Sequence, residues 1–174
     1  MGHSDRSLEE LVELLREARI DLVVDVRRIP RSRANPQFNQ DTLPGALTAF
    51  AIRYEHMAAL GGLRGRSRTV PADTNGFWAN ASFHAYADYA LTPPFRAGLA
   101  HLRDVGHERR CAVMCAEALW WRCHRRIVAD YLLAAGEEVF HIMRPGHLES
   151  ARLTAEAVVR SDGTIVYPAA HART

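Results

Sequence analysis

Two short apolar runs, Asp21-Leu-Val-Val-Asp-Val26 and Cys111-Ala-Val-Met-Cys115, restrict the folds open to this chain more than any other feature. Each is too brief for a helix and apolar without alternation, the pattern of a strand buried on both faces. Around them, apolar residues recur at helical spacing. Ser7-Leu-Glu-Glu10 reads as a capping box, after which Leu8, Leu11, Val12, Leu14 and Leu15 line one helix face to about Arg19. Further helices are expected from Asp41 or Thr42 to about Phe50, from Ser82 to Tyr89, from Thr92 to Gly106, and from Trp120 to Ala135. Ile52-Arg-Tyr54 and Glu138 to Met143 read as additional strands, and Asp162-Gly163 as the turn of a hairpin. Strands alternating with helices imply βαβ units. The expected fold is one α/β domain over residues 1–174: a three-layer sandwich with a mostly parallel central sheet. Its core spans about 2–143, and a C-terminal β-hairpin occupies about 151–168.

Composition removes several classes of function. No apolar run approaches the roughly 18–20 residues of a membrane helix, and the first residues lack a secretory apolar core, so no membrane partner is expected. The three cysteines, Cys111, Cys115 and Cys123, crowd one segment, which suits reduced thiols and a cytoplasmic location better than a disulfide scaffold. All 22 basic side chains are arginine, so Schiff-base, P-loop and general-base lysines are excluded. The net charge of +2 is too small to argue for nucleic acid, but its distribution is uneven. Residues 1–25 hold three arginines against seven acids, whereas residues 26–70 hold eight arginines against two. The second stretch should present a positive surface to an anion.

Ligands of open parallel sheets bind beyond the carboxyl ends of the strands. The first buried strand delivers Asp25, Arg27 and Arg28 there, and the second delivers Cys115 and Glu117. The helix that follows would present Cys123, His124 and Arg125 early in its course. Glu117 and Asp25 are candidates for acid–base work, His124 for orienting or shuttling a proton, and Cys115 for a nucleophile. The plainer alternatives are a small hydrophobe for Cys115, a solvated loop carboxylate for Glu117 and a loop cap for Asp25. Arg27 and Arg125 would clamp an anion. His3 and Ser4 precede a capped helix whose N-terminus favours negative charge, and Arg33 and Arg64 sit in neighbouring loops. No cofactor is expected. A metal would fall to Cys115, Cys123 and His124, but Cys-x7-Cys-His matches no standard zinc module, and adjacent ligands on a helix point apart.

Taken in order, Gly2-His-Ser4, Asp25-Val-Arg27, Pro30-Arg-Ser-Arg33, Leu60-Gly-Gly62, Cys115-Ala-Glu117, Cys123-His-Arg125 and His141-Ile142 resemble the bacterial and archaeal family catalogued as "domain of unknown function 488". The resemblance covers about residues 2–143, and Cys-Ala-Glu with Cys-His-Arg is its most specific part. In that family a strand usually precedes Gly-His-Ser; here either that edge strand is missing or Met1 replaces it. Trp120 and Trp121 stand where relatives more often carry small or polar residues. The family brings no settled activity, so it sharpens the site rather than the reaction.

These readings lead to an enzyme, a hydrolase or group transferase, acting on a phosphate-bearing ligand such as a nucleotide or nucleic-acid component. A redox enzyme fits less well, because no Gly-x-Gly-x-x-Gly motif is present. The alternatives are a non-catalytic nucleic-acid-binding module that uses the arginine loops, and a thiol-based redox sensor.

Overall fold

The computed structural model describes residues 1–169. The first helix, α1 (Leu8–Glu17), begins where the capping box predicts: Ser7 Oγ accepts from the Glu10 N–H, and Glu10 accepts from the Ser7 N–H at 2.7 Å. It buries Leu11, Val12, Leu14 and Leu15 and leads into β1 (Leu22–Asp25), whose four residues are all buried. After a loop come α2 (Leu43–Thr48) and β2 (Arg53–His56). Next are α3 (Ala81–Ala90), α4 (Pro93–Glu108) and β3 (Cys111–Met114). The three strands form a parallel sheet in the order β2-β1-β3, with Leu22 opposite both Arg53 and Cys111.

Side-chain alternation along the strands divides the core in two. Leu22, Val24 and Val26 pack with Tyr86, Phe95, Leu102, Ile127 and Tyr131 from the helices on one face. Val23, Ala112 and Met114 pack with Leu11, Leu15, Leu43 and Leu47 from α1 and α2 on the other. This is the expected helix–sheet–helix layering, and both strand runs are where the sequence puts them.

The segment after β3 differs from expectation. Trp120–Arg122 forms one 3-10 turn, and α5 covers only Arg125–Ala134, so Cys123 lies outside the helix in extended backbone (φ −122°, ψ 146°) and His124 is the N-cap. Apolar Leu119, Trp120 and Trp121 imitate a first helical turn in sequence without forming one. β4 (Phe140–Arg144) is present, but it pairs antiparallel with β5 (His147–Ser150), a strand the sequence reading missed. A cavity of about 310 Å³, lined by Ala112, Val128 and Ile142 among others, separates β4 from β3. The predicted hairpin is β6 (Val158–Val159) with β7 (Ile165–Val166). It docks through Tyr167, whose hydroxyl donates to the buried Asp130 carboxylate at 2.8 Å. Among the described residues no helix is long and apolar enough to cross a membrane.

Residues 2–4 complete the rim of the sheet. Gly2 bridges Cys115 in parallel, and the His3 and Ser4 N–H groups donate to the Cys115 and Ala116 carbonyls at 2.9 Å each. The motif at the chain's start thus lies beside the carboxyl end of β3.

Candidate active site

Because β1 and β3 are parallel neighbours, the segments following Asp25 and Met114 leave the sheet on the same side. There they border an open cavity of about 730 Å³, lined by His3, Ser4, Arg27, Arg28, Arg31, Cys115, Glu117, Arg122, Cys123 and His124 among others. Residues nearly a hundred positions apart in the chain therefore share one space.

Cys123 and His124 meet on its wall. The His124 Nε2–H donates to the Val26 carbonyl at 3.1 Å, so its Nδ1 is left to face Cys123 Sγ, 3.6 Å away. The ring stands 4.8 Å from that of Tyr86, whose hydroxyl is tied to the Leu60 carbonyl. Arg125 is buried; its Nε–H donates to Cys123 Sγ at 3.2 Å, and its terminal nitrogen donates to the Glu117 carbonyl. Cys115 supplies a second sulfur beside the first: its Sγ, Cys123 Sγ and a His124 ring nitrogen lie within 4.8 Å of one another. A hydrogen bond from Cys115, together with His124 and Arg125, holds the Cys123 thiol well below the ordinary range. The same bond, with burial, pushes Cys115 up. Of the two thiols, Cys123 is therefore the one whose thiolate the surroundings favour, beside the Cys115 expected from sequence as a nucleophile.

Glu117 also borders the cavity, half-buried, with one carboxylate oxygen accepting the Leu119 N–H at 3.1 Å and the other without a partner among the described residues. His3 is buried and neutral. Burial lowers its pKa to about 4; its Nδ1–H donates to the Ser4 carbonyl, and its Nε2 accepts from Arg27. His3 is thus a prop for Arg27 rather than a cation.

Four other expected residues sit elsewhere. Asp25 is sealed beneath the cavity, where Arg27, its own loop and Tyr54 occupy both oxygens. Wholly buried, it meets no ligand in the cavity and acts instead as the counter-ion that holds Arg27. Arg125 points inward to Cys123 rather than outward to an anion. Arg64 lies over the Tyr89 ring at 3.7 Å and donates to the Gly61 and Ala58 carbonyls, pinning its own loop. Arg33 is exposed away from the cavity. The arginines that do border it are Arg27, Arg28, Arg31 and Arg122. Arg31 belongs to the same Pro-Arg-Ser-Arg run as Arg33, but sequence alone could not say which of the two turns inward. Gly62 was legible only as part of a glycine pair; a Cβ there would sit 2.8 Å from His124 Nδ1.

The buried histidines give a pH signature. His141, stacked on Trp120 with ring centroids 4.2 Å apart, is held by burial at a pKa of about 4, as is His3. Unfolded, both take protons near their ordinary pKa of about 6.5, so the unfolded state binds more protons at intermediate acidity. Their contribution is complete above pH ~6.5 and should be lost as pH falls toward ~4, on the order of 1–2 kcal/mol for each. Urea midpoints at pH 7.5, 5.5 and 4.5 check this: stability should fall steadily, and His141→Phe should flatten the slope. A midpoint unchanged down to pH 4.5 contradicts it.

A family model described as "Domain of unknown function DUF488" matches residues 7–132, which includes β1, β3 and the whole Cys115–Arg125 segment. No curated protein and no solved structure matches the chain. With most of its length covered by that model, the chain belongs to the DUF488 family.

Proposed function

We propose that the chain is an enzyme, a hydrolase or group transferase, that acts on a phosphate-bearing ligand in the 730 Å³ cavity. One observation carries the reading: guanidinium groups border the same open space as a sulfur–imidazole cluster and a half-buried carboxylate. Arg122 is exposed, and its guanidinium makes no hydrogen bond or ion pair among the described residues, so it is available to an incoming anion. Arg28 approaches with one nitrogen spent on the Leu63 carbonyl at 2.6 Å. Among the described residues the Arg31 guanidinium has only a 4.0 Å contact with exposed Asp41, weak enough to be surrendered to a phosphate. Guanidinium groups suit phosphate oxygens because their paired N–H donors match the oxygen spacing.

Glu117 is the residue placed to move a proton at the ligand, since its second carboxylate oxygen is uncommitted among the described residues. The sulfur–imidazole cluster forms the part of the wall against which the reacting group would lie. A non-catalytic nucleic-acid module draws less support, because Arg64 of the glycine-arginine loop is consumed by internal bonds.

Turnover of p-nitrophenyl phosphate and of a panel of nucleoside mono- and diphosphates tests the reading. The folded chain should release product from at least one of them, and Glu117→Gln should slow release by about 100-fold or more, the usual contribution of a positioned proton carrier. Wild-type rates in that variant remove Glu117 from the chemistry. Absence of turnover across the panel, with inorganic phosphate failing to bind, removes the function.

A further inference from the structure

We propose that Cys115, Cys123 and His124 bind a soft divalent metal ion, with zinc the ion the donors suit, and that one coordination position stays open to the cavity. Two thiolates and an imidazole are preferred zinc ligands, and sites that keep three protein ligands and one exchangeable position are the catalytic kind. One side of the ligand triangle already has the spacing a tetrahedral ion requires, and a small turn of the Cys115 side chain would close the others. Zinc bonded tetrahedrally to sulfur at about 2.3 Å and nitrogen at about 2.0–2.1 Å sets those two ligand atoms about 3.6 Å apart. The Cys123 Sγ to His124 Nδ1 separation is 3.6 Å, and Cys115 Sγ completes a triangle with every side within 4.8 Å. Thiol–imidazole and thiol–thiol hydrogen bonds hold the same three atoms together in the metal-free chain.

The surroundings are those of a prepared ligand set. The hydrogen bond from His124 Nε2–H to the Val26 carbonyl fixes the tautomer that presents a lone pair on Nδ1. The Arg125 N–H on Cys123 Sγ is the kind of donor that steadies a metal-bound thiolate. Gly62 leaves the face of Nδ1 clear, since a Cβ at that position would lie 2.8 Å from it. The objection raised by sequence, that neighbouring helical residues point apart, does not apply: Cys123 is extended and only His124 caps the helix. Charge also balances. Binding takes the proton from Cys115, and the two thiolates cancel the ion's charge, so the nearby arginines are not confronted with a net cation.

The site stands on its own donors and does not depend on the phosphate reading. Where both hold, the open position provides the bound water that hydrolysis requires.

The test is a cobalt(II) titration of the full chain, reduced and stripped with a chelator, as cobalt reports thiolate ligation by colour. One equivalent should bind with intense sulfur-to-cobalt charge-transfer absorption and the visible bands of four-coordinate cobalt, and zinc should displace it. Zinc should also raise the wild-type melting temperature. Cys115→Ala/Cys123→Ala should abolish the spectrum, Gly62→Ala should weaken binding at least tenfold, and Cys111→Ala should change nothing. Arg122→Ala should bind cobalt normally while losing phosphate-ester turnover, so the two proposals fail separately. A folded, reduced wild-type chain with neither the charge-transfer band nor a zinc-dependent rise in melting temperature overturns the site. Undiminished cobalt ligation by the double variant overturns it equally. If that variant does not fold, the wild-type spectrum and melting shift decide.

Discussion

Replacing Asp25 by asparagine is expected to cost about 3–5 kcal/mol of stability, the usual consequence of stripping the partner from a buried charge. Asp25 is wholly buried and Arg27 nearly so. The carboxylate accepts the Arg27 backbone N–H at 3.0 Å, its Nε at 2.9 Å, its Nη2 at 2.6 Å and the Tyr54 hydroxyl at 2.7 Å. Burial alone would weaken the Arg27 charge, but the hydrogen bonds and charge of Asp25 more than restore it. The guanidinium then reaches the Phe38 carbonyl and His3, which joins three loops beneath the cavity. Asparagine keeps the volume and removes the charge, so Arg27 is left buried without a counter-ion. Guanidinium-chloride midpoints should fall sharply for Asp25→Asn, and an added Arg27→Met should recover part of the loss. A loss below about 1 kcal/mol would mean that water or another group already balances Arg27.

Gly2→Ala is the second large effect, and it acts on the site as well as on stability. A Cβ at position 2 would lie 1.9 Å from the Glu117 carbonyl oxygen and 2.7 Å from Ala118 Cα. Those are backbone atoms that cannot swing aside, so the 115–118 turn must move. The His3 and Ser4 hydrogen bonds to Cys115 and Ala116 would stretch with it, as would the Arg125 bond to the Glu117 carbonyl. Overpacking of this kind costs about 1–3 kcal/mol, and two weakened backbone bonds add about 1 kcal/mol each. Thermal melts should show the loss, and cobalt ligation should weaken because Cys115 leaves its place. Wild-type melting and ligation in Gly2→Ala would show that the 1–4 segment does not press on the site.

The parts of this arrangement set by local patterning were legible in the sequence. Leu22–Asp25 and Cys111–Met114 announce themselves as buried strands because every position is apolar or caps a strand end. That alone puts Asp25 and Cys115 on one rim, since parallel neighbours share their carboxyl ends. The hairpin at Asp162-Gly163 follows from turn chemistry, Gly163 having φ +78°. What was not legible depends on partners distant in the chain. Arg125 reads as an anion clamp on a helix, yet it turns inward because a thiol and a carbonyl await it. Arg27 reads as an anion clamp, but its strongest partner is the aspartate two residues before it. Cys123 reads as helical because Trp120 and Trp121 extend the apolar pattern, while Trp120 instead stacks on His141 from β4. That misplaced helix start hid the convergence of Cys123 and His124.

His3, Ser4, Asp5, Arg27, Arg28, Arg31, Glu117 and Arg122 border one cavity with the sulfur–imidazole cluster on its wall, and a phosphate-like anion is expected to bind inside it. An anomalous difference map from crystals soaked in tungstate, a heavy tetrahedral stand-in for phosphate, tests it most directly. A single strong peak is expected inside the cavity, within hydrogen-bond reach of the Arg122 guanidinium and of Arg28 or Arg31, beside Cys123 and His124. Peaks confined to other surface arginines, with the cavity empty at saturating tungstate, would contradict it.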